Sequence, residues 1–242
     1  MNLKERLADP VFRRIGGIAD AAGREVYVVG GYVRDIFLDR TSGDIDFVTV
    51  GSGIELAKAV AADLGKGAHL SVFATYGTAQ VKYKGLELEF VGARRESYSQ
   101  ESRNPVVEDG TLSDDISRRD FTVNAMAISL NGSSFGDLVD NFGGVGDLEA
   151  RLLRTPLDPD ITFSDDPLRM MRAIRFATQL GFRIHQPTVE AIKRNASRME
   201  IITKERINDE LGKIMRSAKP SVGFLLLEMS GILPLIMPEL CA

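Results

Sequence analysis

The chain has 242 residues, 44% hydrophobic and 26% charged, enough for one or two compact domains with buried cores. No stretch approaches the roughly 18–20 apolar residues of a membrane span, and the charged N-terminus MNLKERLADP has no signal-peptide core. A single cysteine, Cys241, excludes a disulfide framework and a Cys-based zinc site, and His69 and His185 stand too far apart to suggest one built on imidazoles, so a reducing, cytoplasmic setting is expected.

In chain order, a helical run near residues 11–22 precedes an apolar strand at 25–29, a Gly30-Gly31 turn and a helix over 32–38. A strand at 45–50 and a helix at 54–64 follow. Three strand-like runs come next, 68–74, 78–84 and 86–91, the last two split by Lys84-Gly85. This alternation predicts a mixed α/β sheet with antiparallel members. Residues 95–114 are polar, carry Pro105 and Gly110, lack periodicity, and read as a loop. A strand returns at 125–130, and Asn131-Gly132 is a hairpin signal before 135–139. From about residue 160 the pattern is helix after helix, broken at Gly181, Pro187 and Pro220, with Met170, Ile174, Ala177 and Leu180 forming a core stripe. The closing apolar run GILPLIMPELCA, without a polar tail, leads us to expect a chain cut from something longer.

Net charge is −4, but it is unevenly spread. Residues 169–219 hold twelve Lys or Arg against five Asp or Glu. That local surplus of +7 fits polyanion binding, and solvated faces of amphipathic helices fit it equally.

The stretch SGDIDFVTVG places Asp44 and Asp46 two apart at the head of a strand, where side chains at i and i+2 share a face. Two carboxylates about 4 Å apart repel by about 4 kcal/mol at an effective dielectric near 20. A divalent cation relieves that most directly, and hard carboxylate oxygens suit Mg²⁺, which leaves positions for substrate phosphates. Taken alone the pair fits equally an Asp44 that caps a turn and an Asp46 that faces solvent. Upstream, VVGGYVRD ends a strand in two glycines and opens a helix bearing Arg34. Glycines that admit a ligand to the backbone, free helix N–H groups and a fixed cation suit a triphosphate. A nicotinamide oxidoreductase would need G-x-G-x-x-G and an acid about twenty residues on, and neither is present. In GLELEFVGAR, Glu87 and Glu89 share a strand face, and either could join the aspartates.

Five motifs, VGGYVRDIFL…GDIDFV, SRRDFTVNAMA, DNFGGVGDLEARLLRT, DDPLRMMRAIRFATQLGF and ERINDELGKIM, stand in the order found in class II (bacterial-type) tRNA nucleotidyltransferases and poly(A) polymerases. The resemblance covers roughly residues 25 to 216. It implies an α/β nucleotidyltransferase head over 1–155, with a mixed sheet, and an all-α, nucleotide-selecting neck over 156–242, cut before the body and tail of longer relatives. It implies template-independent addition of C and/or A to the 3′ end of tRNA from CTP and ATP with Mg²⁺, releasing pyrophosphate by two-metal chemistry; it implies no membrane and points to no protein partner. A poly(A) polymerase or a CC- or A-adding enzyme fits the same motifs. A non-catalytic nucleotide- or RNA-binding protein is the more distant alternative.

Carried onto this sequence, the resemblance implies that Asp44 and Asp46 hold the metal and are catalytic, and that Gly30, Gly31 and Arg34 hold the triphosphate. Glu89, five residues before Arg94, matches a family carboxylate and is preferred over Glu87 as a third catalytic acid. Arg119, Asp120 and Asn124 belong to a segment that contacts sugar and phosphates. Asp166 and Arg169, three apart on one expected helix, form a template, with Arg172 beside them. An Asp accepting the amine and an Arg donating to the ring nitrogen select cytosine and adenine. Uracil and guanine present the reverse order, and such a site rejects them by about 10⁴ or more. Asp165 stands where the family usually has Glu. Glu205 and Arg206 are expected to support the template, and Phe142-Gly143-Gly144 resembles a flexible segment tied to specificity switching.

Overall fold

The computed structural model describes residues 1–99 and 102–240, and Cys241 lies outside them. The chain divides into two compact units, the first comprising Met1–Glu96, Val107–Arg119 and Val123–Val145, the second Ser97–Val106, Asp120–Thr122 and Gly146–Ala242.

In the first unit, the Asp9 carboxylate accepts from the Val11 N–H at 2.8 Å and Pro10 sets the first turn of α1 (Pro10–Ala21). There follow β1 (Val26–Val29), α2 (Gly31–Phe37), β2 (Asp44–Thr49), α3 (Gly53–Leu64), β3 (His69–Phe73), β4 (Thr78–Tyr83) and β5 (Leu86–Gly92). Next come β6 (Arg94–Ser99), β7 (Ser102–Asp109), α4 (Leu112–Ser117), β8 (Ala127–Ser129) and β9 (Leu138–Val139). Seven strands form one sheet in the order β3-β4-β5-β2-β1-β8-β9. Only β2 and β5 run parallel, because α3, β3 and β4 intervene between them, and the other neighbouring pairs are antiparallel.

The alternation along β2 sorts the two faces. Ile45 and Phe47 point to one side, where Phe47 stacks on Phe90 at 4.9 Å and lies 6.3 Å from Phe12 of α1. Each fully buried side chain of this size contributes about 1.5–3 kcal/mol. Val29, Val48 and Ala127 point to the other side and pack with Leu112 and Ile116 of α4. That second face also carries Asp44 and Asp46.

Two expectations are corrected here. The described part of 95–114 is not a loop, residues 100 and 101 of that expectation lying outside the described residues: β6 and β7 form a two-stranded sheet, and α4 follows. Backbone pairing in a ribbon needs no buried stripe, and Pro105 is tolerated there because a two-stranded ribbon is all edge. The hairpin signalled at Asn131-Gly132 forms, since β8 pairs antiparallel with β9, but its connection is not the tight turn of that dipeptide: Asn131 has φ −61 and a 3₁₀ turn (Gly132–Ser134) intervenes.

The second unit contains α6 (Pro159–Asp165), α7 (Leu168–Leu180), α8 (Gln186–Asn195), α9 (Lys204–Met215), α10 (Pro220–Met229) and α11 (Leu233–Ile236), after α5 (Gly144–Glu149), which straddles the division. Pro187 and Pro220 sit in the first turns of α8 and α10, and Gly181 closes α7 with φ 69. A short parallel ladder, β10 (Leu152–Leu153) with β11 (Arg183–Ile184), joins the helices. Met170, Ile174 and Ala177 are buried as expected, on a buried face widened by Met171, Ala173 and Phe176. Gly223 lets α10 approach closely, because a Cβ there would lie 2.4 Å from Ile214 Cγ2. Among the described residues no helix is long and apolar enough to cross a membrane.

Candidate active site

The strand β1 is buried and ends at Gly30, whose φ of 70 and ψ of −131 fall where side chains are strained. A Cβ on Gly30 would lie 2.9 Å from Arg119 Nη1 and 3.6 Å from Asp46 Oδ2. The turn therefore has a cation and an acid at its mouth. Gly30 C=O accepts from the Arg34 N–H at 3.1 Å and starts α2. The Arg34 side chain is buried, donating from Nε to Asp35 Oδ1 and from Nη1 to Asn124 Oδ1, both at 2.9 Å. It is a fixed cation, set behind the turn.

The carboxylates stand on two adjacent strands. In the parallel register Asp44 aligns with Glu87 and Asp46 with Glu89, so all four share the face opposite the phenylalanine core. The Ser42 hydroxyl makes the turn entering β2, accepting from the Asp44 N–H at 3.2 Å. The Asp44 carboxylate makes no hydrogen bond or ion pair with a described residue, so it is not the turn cap. Glu87 is engaged by Lys82 Nζ at 2.7 Å and Gln80 Nε2 at 3.1 Å, which leaves Glu89 as the acid that faces Asp46. Burial raises the Asp46 carboxyl above its ordinary value; Arg119 offsets part of that, and Asp44 adds to it. Burial, then Asp46, raises Glu89. Neither acid forms an ion pair with a described residue. Among the described residues no three His, Cys, Asp or Glu side chains are arranged to hold a metal.

Asp115, which sequence reasoning missed, completes this face. It is fully buried on α4 and pairs with Arg118 and, at 3.0 Å, with Arg119. Thr111 and Asp114 form a reciprocal capping box that fixes the start of that short helix. The signals were present: Thr111 and Asp114 at capping-box spacing, and Asp115 four before Arg119.

The remaining expected residues lie in the second unit. Asp120 is buried, and its Oδ2 accepts from Arg172 Nε at 2.8 Å and Nη2 at 2.5 Å. Phe176 lies beneath Arg172 and Arg175, 5.4 Å and 3.9 Å from its ring centre. Asp166 and Arg169 are not on one helix. Asp166 is extended, with φ −138 and ψ 101, because Pro167 follows and disfavours the helical conformation before it. Its Oδ1 accepts from the Leu168 N–H at 3.1 Å, and its Oδ2 accepts from Arg206 Nη2 at 3.0 Å. Arg169, half-buried in the first turn of α7, makes no side-chain hydrogen bond or ion pair with a described residue. Arg206 thus supports Asp166 as expected. Glu205 is exposed, and Glu210, unforeseen, is the buried acid of α9, accepting from Arg175 Nε at 2.5 Å.

The structure therefore brings Gly30, Gly31, Arg34, Asp44, Asp46, Glu89, Arg119 and Asn124 into the first unit, and Asp120, Asp166, Arg169 and Arg172 into the second.

Residues 26–154 match the family described as "Poly A polymerase head domain", and residues 181–242 match "Probable RNA and SrmB- binding site of polymerase A". An A-adding tRNA nucleotidyltransferase of Aquifex aeolicus is 42% identical over 192 residues, which is 78% of this chain and 23% of that protein. A CCA-adding enzyme of Lactobacillus helveticus is 40% identical over 195 residues, 80% of this chain and 46% of its own length. The structure of the Thermotoga maritima CCA-adding enzyme complexed with tRNA_CCA superposes with a TM-score of 0.85 at 32% identity, covering 99% of this chain and 56% of that one. The chain spans between about a quarter and a half of the curated relatives it matches.

Proposed function

The chain belongs to the poly A polymerase head-domain family, that of the class II tRNA nucleotidyltransferases, and from that premise we propose that it adds C and A to the 3′ end of tRNA from CTP and ATP, releasing pyrophosphate. The observation that carries the reading is the aspartate pair, in no ion pair with a described residue, beside the Gly30 turn and Arg119, on a strand whose other face is core.

In this reading residues 1–155 act as the head and 156–242 as the selecting neck, in a cytoplasmic enzyme. The Gly30-Gly31 turn admits the triphosphate to the backbone, Arg119 donates to its oxygens, and Arg34 holds positive charge behind them. Nucleotidyltransferases of this family generally use a divalent metal. Asp44 and Asp46 fit Mg²⁺, because two hard carboxylates leave further positions to water and phosphate. When bound there, the ion supplies charge neutralisation on phosphate oxygens and activation of the attacking hydroxyl. Glu89 adds negative charge to the same face. Asp166 and Arg169 select the base: each Asp166 oxygen already takes one donor and retains a further lone pair for an amine, while Arg169 has donors to offer a ring nitrogen. Arg206 and the Leu168 N–H fix the acid; Asp120 fixes Arg172.

The A-adding relative supports a second reading, A addition alone. Incubation with Mg²⁺, a tRNA lacking its last three nucleotides, and each nucleoside triphosphate alone and paired separates the two. Addition of C, C and A, with G and U refused, is the expected result. Extension only of a tRNA already ending in CC, and only with ATP, would assign the second. Loss of all incorporation in Asp44→Ala with nucleotide binding retained would exclude a non-catalytic binder.

A further inference from the structure

Resting on the nucleotide-binding reading above, we infer that Asp115 is a positioning residue for the triphosphate site, holding Arg119 so that one edge of its guanidinium faces the Gly30 turn.

Arg119 donates Nε and Nη2 to a single oxygen, Oδ2 of Asp115, at 3.3 and 3.0 Å. The other oxygen, Oδ1, takes Arg118. Nη1 of Arg119 is left without a hydrogen bond to any described residue. It lies 2.9 Å from the point a Gly30 Cβ would occupy, and Asp46 Oδ2 lies 3.6 Å from that same point. A phosphate oxygen approaching the glycine backbone thus meets that donor edge beside the acid that would face a cation. An unanchored arginine spreads over many rotamers, whereas one held by its other edge arrives pre-organised.

The anchor itself is held rigidly by the fold. Asp115 is fully buried. Its neighbours Leu112 and Ile116 are set in the cluster with Val29, Val48 and Ala127, on the sheet face that carries Asp46. Asp114 Oδ2 accepts from the Thr111 N–H at 2.8 Å, and Thr111 Oγ1 accepts from the Asp114 N–H at 3.2 Å, which locks the first turn of α4. The alternative is that the buried acid only stabilises the fold.

A double-mutant cycle on affinity for CTP and ATP with Mg²⁺, read by titration calorimetry on the full chain, decides between them. Arg119→Gln and Asp115→Asn are each expected to weaken binding by about tenfold or more. The double variant is expected to bind no more weakly than Arg119→Gln alone, because the acid acts through that arginine. Equal losses from Asp115→Asn in both backgrounds would overturn the inference. Should Asp115→Asn fail to fold, Arg118→Gln decides by itself. It breaks the same buried cluster but leaves the Arg119 anchor, so affinity should stay within about twofold; a tenfold loss there would overturn the proposal. The cycle needs no turnover. Coupled losses of binding in a protein that extends no tRNA would remove the catalytic reading and leave this one standing.

Discussion

Asp115 and Gly30 show how single residues set the chemistry of this face. Burial alone would raise the Asp115 carboxyl, but Arg119 and Arg118 outweigh it and hold it below the ordinary aspartate value. The unfolded chain therefore takes up this proton at a higher pH than the folded one, and acid favours unfolding. The stabilisation is complete above the ordinary aspartate value and is lost as pH falls through the depressed folded value. Asp115→Asn should accordingly be less stable than the wild type at neutral pH, and the urea midpoints of the two should converge on acidification. A constant difference down to about pH 2 would show that the ion pairs are not its source. At Gly30, alanine would combine a strained backbone with a Cβ against Arg119 Nη1. Gly30→Ala should lose about 1–3 kcal/mol of stability in urea titration and bind nucleotide more weakly. Much of the site was legible at this scale. Asp44 and Asp46 follow from the two-residue period of a strand, and Gly30 from its place between strand and helix. Glu89 was singled out only through a family match, because its register with Asp46 depends on a parallel pairing made after three intervening elements. Asp115 was hidden because it lies on a six-residue helix set in a polar, aperiodic stretch, where one turn of helical spacing does not stand out.

Elements were easiest to foresee where a buried stripe had to form. The stretches that became α1, α3 and β2 carry their own periodicity, and their ends moved by a residue or so. The ribbon β6–β7 carries none, because its pairing is between backbones, and the six-residue α4 is too short to show more than one i, i+4 apolar pair. The pairing of α7 with α9 was half visible. Arg206, Glu210 and Lys213 follow i, i+4 and i+7, one face of α9, yet only the fold shows that Glu210 meets Arg175. Their side chains are 4% and 10% exposed, so solvent screens the pair little. Removing one partner strands a buried charge. Glu210→Gln should thus destabilise the protein by about 3–5 kcal/mol, whereas Arg175→Met with Glu210→Leu should come within about 1 kcal/mol of the wild type or exceed it. Urea titration of the two variants checks both. A large loss in the double variant would mean that the contacts Arg175 makes within α7, to Gln179 at 3.0 Å and over the Phe176 ring at 3.9 Å, matter more to stability than the ion pair does.

At the scale of the whole chain, the question is what the charge asymmetry is for. Of the twelve basic residues between 169 and 219, Arg172, Arg175, Arg194, Arg206 and Lys213 are tied to acids within the second unit. Those five tie acids of the second unit in place, Asp166 among them, so a share of the surplus is architectural. Arg183, Lys193, Lys204, Arg216 and Lys219 are exposed and form no ion pair with a described residue. They are the part of the surplus available to a polyanion. If tRNA is that polyanion, each lost phosphate contact should flatten the dependence of log affinity on log salt by about 1. Replacing Lys204, Arg216 and Lys219 by Ala should therefore weaken tRNA binding, reduce the salt slope by about 2–3, and leave CTP and ATP affinity unchanged. The measurement is tRNA affinity at several salt concentrations, with nucleotide titration alongside. An unchanged slope would return these charges to ordinary solvated helix faces. Phosphate recognition would then rest on the first unit, where Arg119 stands beside Asp46 and the aspartate pair limits how close an RNA backbone comes without a cation.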